Sequence, residues 1–257
     1  MKNIKLNELL LIIAGTILLL NLAAMLIFTF TVNGKLNDAI ALASPQEGTI
    51  TLINADDCEK CRDLEIVKKD LIAQNIEFSE EITLQASDEE AQKLIERYEI
   101  KRLPALIFNS NKKLKAPLRQ ALKEKEIPAT NNGFVWEQQY PPYFDLESTT
   151  TTGLVNVIFL TDNTCADCYD VVQTQKPILS SFGIAINSEK IVDLSEPEGR
   201  NLKNKYNITE VPTVILSPEA ADYPALSKVW PQAGTIEGDG FYIFRNMEIL
   251  KVKYRAL

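Results

Sequence analysis

Thr49-Ile50-Thr51-Leu52-Ile53 is an apolar, β-branched run that leads, after four intervening residues, into Cys58-Glu59-Lys60-Cys61. The succession returns 107 positions later, where Val155-Asn156-Val157-Ile158-Phe159-Leu160 leads into Cys165-Ala166-Asp167-Cys168. Each run has the composition of a buried strand. These four cysteines are the only ones in the 257 residues, so the pairs read as two dithiol centres, each able to cycle between dithiol and disulfide.

Working outward, the flanking sequence repeats as well. Leu64, Val67, Leu71 and Ile72 fall at helical spacing after the first pair, which predicts an amphipathic helix with the first cysteine at its N-terminal end. Val171, Val172, Ile178 and Leu179 repeat the pattern more loosely, with Pro177 a kink or stop. Ser87-Asp88-Glu89-Glu90 and Ser195-Glu196-Pro197-Glu198 both match the S-x-x-E capping box, at an offset of 108. Tyr98, Ile100 and Leu103-Pro104 before one apolar strand match Tyr206, Ile208 and Val211-Pro212 before another, again at 108. Gly133-Phe134 and Gly240-Phe241 align at 107, which places a one-residue gain before the second capping box and a one-residue loss before the last hairpin. The order in each copy is strand, Cys-x-x-Cys, helix, strand, helix, apolar-Pro, strand, hairpin, which implies a βαβ unit followed by antiparallel strands.

This order and these motifs resemble the thioredoxin fold. The tandem arrangement over residues 48–257 is similar to the two-domain protein disulfide oxidoreductases of archaea and, more distantly, to protein disulfide isomerases. The resemblance implies an α/β protein with two thioredoxin-like domains, each a central mixed sheet flanked by helices. It implies that Cys58 and Cys165 attack and that Cys61 and Cys168 resolve the mixed disulfide. It also implies that Leu103-Pro104 and Val211-Pro212, with cis prolines, bind the substrate chain. Three features depart from thioredoxin itself. Asp57 and Thr164 stand before the cysteines where thioredoxin has tryptophan, Leu52 and Phe159 replace its buried carboxylate, and the closing helix is missing. Residues 117–126 and 220–229 are candidates for the replacement cover.

Thiol–disulfide exchange needs an accessible attacking thiol of lowered pKa and a second thiol close enough to release the mixed disulfide. Lys60 and Arg62 favour the Cys58 thiolate, while Asp56, Asp57 and Glu59 oppose it. Asp162, Asp167 and Asp170 around Cys165 meet no base nearby in sequence, so Cys58 is expected to be the more acidic thiol. A zinc site is the main alternative, because two Cys-x-x-Cys pairs supply four ligands. Zinc ribbons, however, separate their pairs by about 15–20 residues, and this chain has no histidine. Structural staples are disfavoured because so small a loop constrains the denatured chain little. The electrons pass sulfur to sulfur, so neither a metal nor an organic cofactor is called for.

Residues 9–32 hold no charged side chain and, at about 1.5 Å per residue, are long enough to cross a hydrocarbon core of roughly 30 Å. They read as one membrane-spanning helix rather than a signal peptide with a cleavage site near Ala41-Leu42-Ala43. Lys2 and Lys5 precede it while Lys35 and Asp38 cancel, which orients the N-terminus to the cytoplasm and the domains outward. The expected organisation is a tail at 1–8, a span at 9–32, a linker at 33–47, domains at 48–147 and 154–257, and a linker at 148–153. Lys plus Arg number 27 against 35 Asp plus Glu, a net charge of −8, which disfavours nucleic acid as a partner. The expected function is a membrane-anchored, extracytoplasmic thiol–disulfide oxidoreductase acting on protein disulfides and thiols, with its redox partner unspecified. A redox-inert binding module and a relay between the two centres are the rivals.

Overall fold

A computed structural model describes residues 6–56, 58–61 and 63–257, with side chains from residue 14 onward. Lys2, Lys5, Asp57 and Arg62 lie outside the described residues. The first element, α1 (Leu6–Ala43), is 38 residues long, about 57 Å at 1.5 Å per residue. Its stretch Ala14–Ala43 is long and apolar enough to cross a membrane, and its side chains are exposed. Three polar side chains along it turn back on the helix. Asn21 donates to the Ile17 carbonyl, Thr29 to that of Met25 and Thr31 to that of Ile27, so each of the three has a donor satisfied within the helix. The expected linker at 33–47 is helical as far as Ala43, because nothing in 33–43 forces the chain out of a helix. The chain leaves the helix at Ser44, where Pro45 disfavours the α conformation. Asn75 Nδ2 donates to the Ala43 and Ser44 carbonyls at 3.1 and 3.0 Å, and Lys115 Nζ donates to the Ser44 carbonyl. These donors satisfy acceptors that a helix end leaves open.

The first half then runs β1 (Gln46–Asn54), α2 (Leu64–Ala73), β2 (Ile76–Gln85), α3 (Glu89–Tyr98), β3 (Arg102–Leu103), β4 (Ala105–Asn109), α4 (Ala116–Glu124), β5 (Gly133–Glu137), β6 (Tyr143–Asp145) and β7 (Thr150–Thr152). The second half runs β8 (Leu154–Thr161), α5 (Val171–Ser181), β9 (Ala185–Asp193), α6 (Pro197–Lys205), β10 (Glu210–Val211), β11 (Thr213–Leu216), α7 (Pro224–Ala233), β12 (Gly234–Ile236), β13 (Tyr242–Phe244) and β14 (Arg255–Ala256). The main sheets are β2-β1-β4-β5 and β9-β8-β11-β13-β12. In each, the first strand pairs parallel with the next in sequence and antiparallel with the strand after the proline. Both halves are thioredoxin-like α/β domains with a mixed sheet flanked by helices. Even the bulges match: register shifts at Gly48/Thr49 in one and at Val155/Asn156 in the other.

Strand alternation divides each sheet into two packed faces. Ile50 and Leu52 pack with Leu64, Val67 and Leu71 of α2 and with Leu118 and Leu122 of α4. Ile53, Ala105 and Ile107 face Ala91 and α3 on the other side. In the second half Val157 and Phe159 pack with α5, Leu226 and Trp230, while Leu160 and Ile215 face α6 and Tyr206. Helices α4 and α7 thus share a sheet face with α2 and α5, where cover was expected of 117–126 and 220–229.

Other expectations are corrected. The S-x-x-E boxes do not form, although α3 and α6 start 108 residues apart: the Ser87 hydroxyl bonds Asp56 Oδ1 at 2.8 Å and that of Ser195 bonds Asp193. Phe108 pairs with Phe134 and Leu216 with Tyr242, so the offset stays at 108 and no residue is lost before the last hairpin. The two glycines do different work. A Cβ at Gly133 would lie 2.3 Å from the Phe108 carbonyl oxygen, whereas Gly240 has φ +84°. Helix α5 runs through Pro177 without stopping. The expected linker at 148–153 contains β7, which pairs with β6, which in turn pairs with β3, because a run of threonines suits a strand.

Candidate active site

Each cysteine pair lies in the turn between the first strand and the following helix. Cys58 and Cys61 form a disulfide with Cα atoms 5.3 Å apart, and Cys165 and Cys168 form another with Cα atoms 5.4 Å apart. Backbone bonds fold each turn, Cys61 N–H to the Cys58 carbonyl at 3.1 Å and Cys168 N–H to that of Cys165 at 3.4 Å. All four cysteines are described, and each pair borders an open cleft. The helices begin at Leu64 and Val171, six residues past the first cysteine of each pair, so neither Cys58 nor Cys165 is the helix-terminal residue expected of it. Asp63 and Asp170 occupy those ends instead. Asp63 accepts from Glu65 N–H and Asp170 from Gln173 N–H, so a carboxylate meets the positive pole of each helix.

Opposite each turn stands the pre-proline residue, and both Leu103-Pro104 and Val211-Pro212 are cis. Cys61 Sγ lies 3.9 Å from the Leu103 carbonyl oxygen, and Cys168 Sγ lies 3.9 Å from that of Val211. A thiol at either position has an acceptor waiting, which favours its neutral form. Leu103 and Val211 are 0% exposed, so they offer carbonyls, not side chains, while Pro104 and Pro212 line the clefts with the cysteines. The backbone edge beside each is already paired, Leu103 with Phe144 and Val211 with Arg255.

The two centres differ in what surrounds them. The cleft at Cys58 has a volume of about 250 Å³ and carries Asp63, Glu65 and Glu81 on its walls. The cleft at Cys165 is about 560 Å³, and Val172, Tyr169 and the 62%-exposed Ile191 give it an apolar wall. The expectation that Cys165 has no base near it is overturned. Arg255 Nη1 reaches Asp162 Oδ2 at 2.7 Å and Thr164 Oγ1 at 2.6 Å, and Lys253 Nζ lies 3.5 Å from Asp167. At the first centre Lys60 turns away, its Nζ donating to the Ile186 and Asn187 carbonyls of β9 at 2.6 and 2.8 Å. The bulge at Asn187 explains that pair of acceptors, since consecutive carbonyls of a regular strand face opposite ways. Among the described groups, the cations that reach residues beside the cysteine turns are therefore Arg255 and Lys253, both at the second centre.

Sequence reasoning missed three contributors to the second site. Tyr169 donates its hydroxyl to the Pro212 carbonyl at 3.0 Å, and burial pushes that hydroxyl up to about 12. Asp193, on β9, accepts from Asn163 N–H at 2.7 Å, and the Ser195 hydroxyl holds its carboxyl below the usual range. Arg255, 90 residues past Cys165, completes the cluster. The Thr164 hydroxyl is the main cause that holds the Asp162 carboxyl low, and Arg255 adds to it against the opposing effect of burial. Among the described residues no group of three or more His, Cys, Asp or Glu is arranged to hold a metal ion.

No family model matches the chain. No curated protein matches it either. Solved structures similar to it include full-length ERdj5, at 9% identity and a TM-score of 0.21 over 71% of this chain; the chain spans only 27% of that protein's length. The alkylhydroperoxide reductase protein AhpF from Enterococcus faecalis, as its C503A mutant, matches at 17% identity over 72% of this chain and 88% of its own, with a TM-score of 0.20. A protein disulfide oxidoreductase from Aeropyrum pernix K1 matches at 14% identity over 72% and 82%, with a TM-score of 0.19. The thioredoxin-like assignment stands on the strand order, register and cysteine placement.

Proposed function

We propose that the chain is a membrane-anchored thiol–disulfide oxidoreductase that acts on protein disulfides and thiols through two dithiol centres. The observation that carries this reading is the twin placement of each second cysteine 3.9 Å from the carbonyl of a pre-proline residue, at the same point of two matching sheets. In the reducing direction, the thiolate of Cys58 or Cys165 attacks one sulfur of a substrate disulfide and the other leaves as a thiolate. Cys61 or Cys168 then loses its proton and attacks the mixed disulfide. The intramolecular disulfide forms, two electrons have passed to the substrate, and the substrate leaves as a dithiol. The oxidising direction is the same sequence reversed. Pro104 and Pro212 present the apolar wall against which a substrate chain rests.

Helix α1 is read as the anchor, with the N-terminus cytoplasmic and both domains extracytoplasmic, where disulfide chemistry is sustained. The second centre is read as the one that meets substrate, on its larger and more apolar cleft. A direct relay between the centres is disfavoured in this arrangement. Lys60 rests on β9 at residues that pair near Val155, whereas Cys165 lies beyond the far end of β8 at Thr161, roughly 20 Å along the strand. Insulin reduction with dithiothreitol tests the reading. Wild type is expected to accelerate precipitation, Cys165→Ser to lose on the order of a hundredfold, and Cys58→Ser to retain most of the rate. No acceleration by any form would support the redox-inert binding module instead.

A further inference from the structure

The strand that closes the second site brings more than backbone to it. Residues 253–257 tie its two sides together: the Lys253 carbonyl accepts from Tyr169 N–H at 3.0 Å, Arg255 pairs with Val211, and Leu257 N–H donates to the Thr209 carbonyl at 2.8 Å. From this strand Arg255 reaches back to Asp162 and Thr164, the residues that lead into Cys165. The Asp162 side chain is 4% exposed and that of Arg255 is 49% exposed, so one end of the pair is in the protein and the other in water. The Asp162 carbonyl also accepts Cys165 N–H at 3.0 Å. The same two positions in the first half hold Ala55 and, opposite Leu103, Phe144, which pack on one apolar cluster. Among the described residues the first centre has no equivalent pair there.

We propose that Arg255 is the positioning residue of the second dithiol centre: its ion pair with Asp162 and its bond to Thr164 fix the 162–165 loop and neutralise the Asp162 carboxylate at the base of that loop. The inference rests on the exchange reading above and deepens it. A buried carboxylate left without Arg255 opposes a second negative charge on the neighbouring sulfur, and a guanidinium left without Asp162 favours it. The other charged and titratable groups around the site include Cys168, whose Sγ meets the Val211 carbonyl, and Glu210, on the strand that pairs with that of Arg255. Asp167 faces Lys253, Asp170 caps α5, Asp193 holds Asn163 N–H from β9, and Tyr169 is bonded to Pro212. Arg255 is therefore the cation whose removal alters the balance at the base of the Cys165 loop.

The test uses the full chain carrying Cys58→Ser and Cys61→Ser, reduced, with the rate of Cys165 alkylation by iodoacetamide followed by mass spectrometry from pH 5 to 10. Arg255→Gln is expected to move the midpoint up and to slow alkylation near pH 7 by roughly three- to tenfold, while Asp162→Asn moves it down. The double variant returns to within about twofold of the parent, and Arg255→Lys does the same by restoring the charge. A role in packing alone would loosen the loop in both single variants and shift both midpoints the same way. That result, or unmoved midpoints in folded Arg255→Gln protein, overturns the proposal. Because alkylation needs no protein substrate, shifted midpoints alongside failed insulin reduction would reject the exchange reading and leave Arg255's role standing.

Discussion

The two halves place their sulfurs by the same backbone and surround them with different chemistry. Strand order, bulge position, aspartate helix caps and the 3.9 Å approach to a pre-proline carbonyl are common to both. A helix-to-edge ion pair also recurs, Lys68 with Glu81 in one and Lys176 with Glu189 in the other. What differs is the second layer. Ala55 and Phe144 make the first site apolar there, whereas Asp162 and Arg255 make the second ionic. The difference teaches that a duplicated fold can conserve where a disulfide sits while leaving its acidity and its access free to diverge.

The largest effect that sharpens this contrast, after the cysteine substitutions, lies at Tyr169. Tyr169→Phe removes the donor to the Pro212 carbonyl and leaves a buried acceptor unpaired, so the second domain is expected to lose about 1–2 kcal/mol while the first keeps its stability. Domain-resolved hydrogen exchange would read this, and equal loss in both halves would break the comparison.

A smaller contrast concerns acid. Asp162 and Asp193 have folded pKa values held below the ordinary 3.8 by hydrogen bonds, so the stability they add is present above that value and is lost as pH falls below it. Glu137 in the first half is raised above 4.5 by burial, so protonating it on the way down removes a penalty. Asp145 is also lowered in the first half and Asp222 is raised by burial in the second, but the second half holds more of the lowered carboxylates, with Glu237 and Asp239 among them. As pH falls below 3.8 the second domain is therefore expected to begin unfolding before the first, as followed by Trp230 against Trp136 fluorescence with each retained singly. The opposite order would contradict the assignment of these carboxylates.

Much of this was legible in the sequence because it is written locally. The repeated strands, the cysteine spacing, the apolar-Pro runs and the replacement helices follow from period and composition within a few residues. The linker assignments at 33–47 and 148–153 went astray for the same reason, since neither stretch carries a hydrophobic period of its own and each takes its form from a neighbour. Helix α1 continues into 33–43, and β6 recruits the threonines. The capping boxes misled because Ser87 and Ser195 had nearer acceptors in Asp56 and Asp193. Arg255 was invisible because its partners lie more than 90 positions away and meet it only through a two-residue strand.

The central claim is that both centres are redox-active and that their surroundings make them unequal. Equilibrating the full chain with only one cysteine pair retained, in glutathione buffers of graded potential, measures each directly. Two reversible two-electron transitions are expected, with the second centre the more oxidising by at least about 30 mV, a tenfold difference in equilibrium constant, because a stabilised thiolate favours the reduced form. Coincident transitions, or a pair that never titrates, would contradict the account.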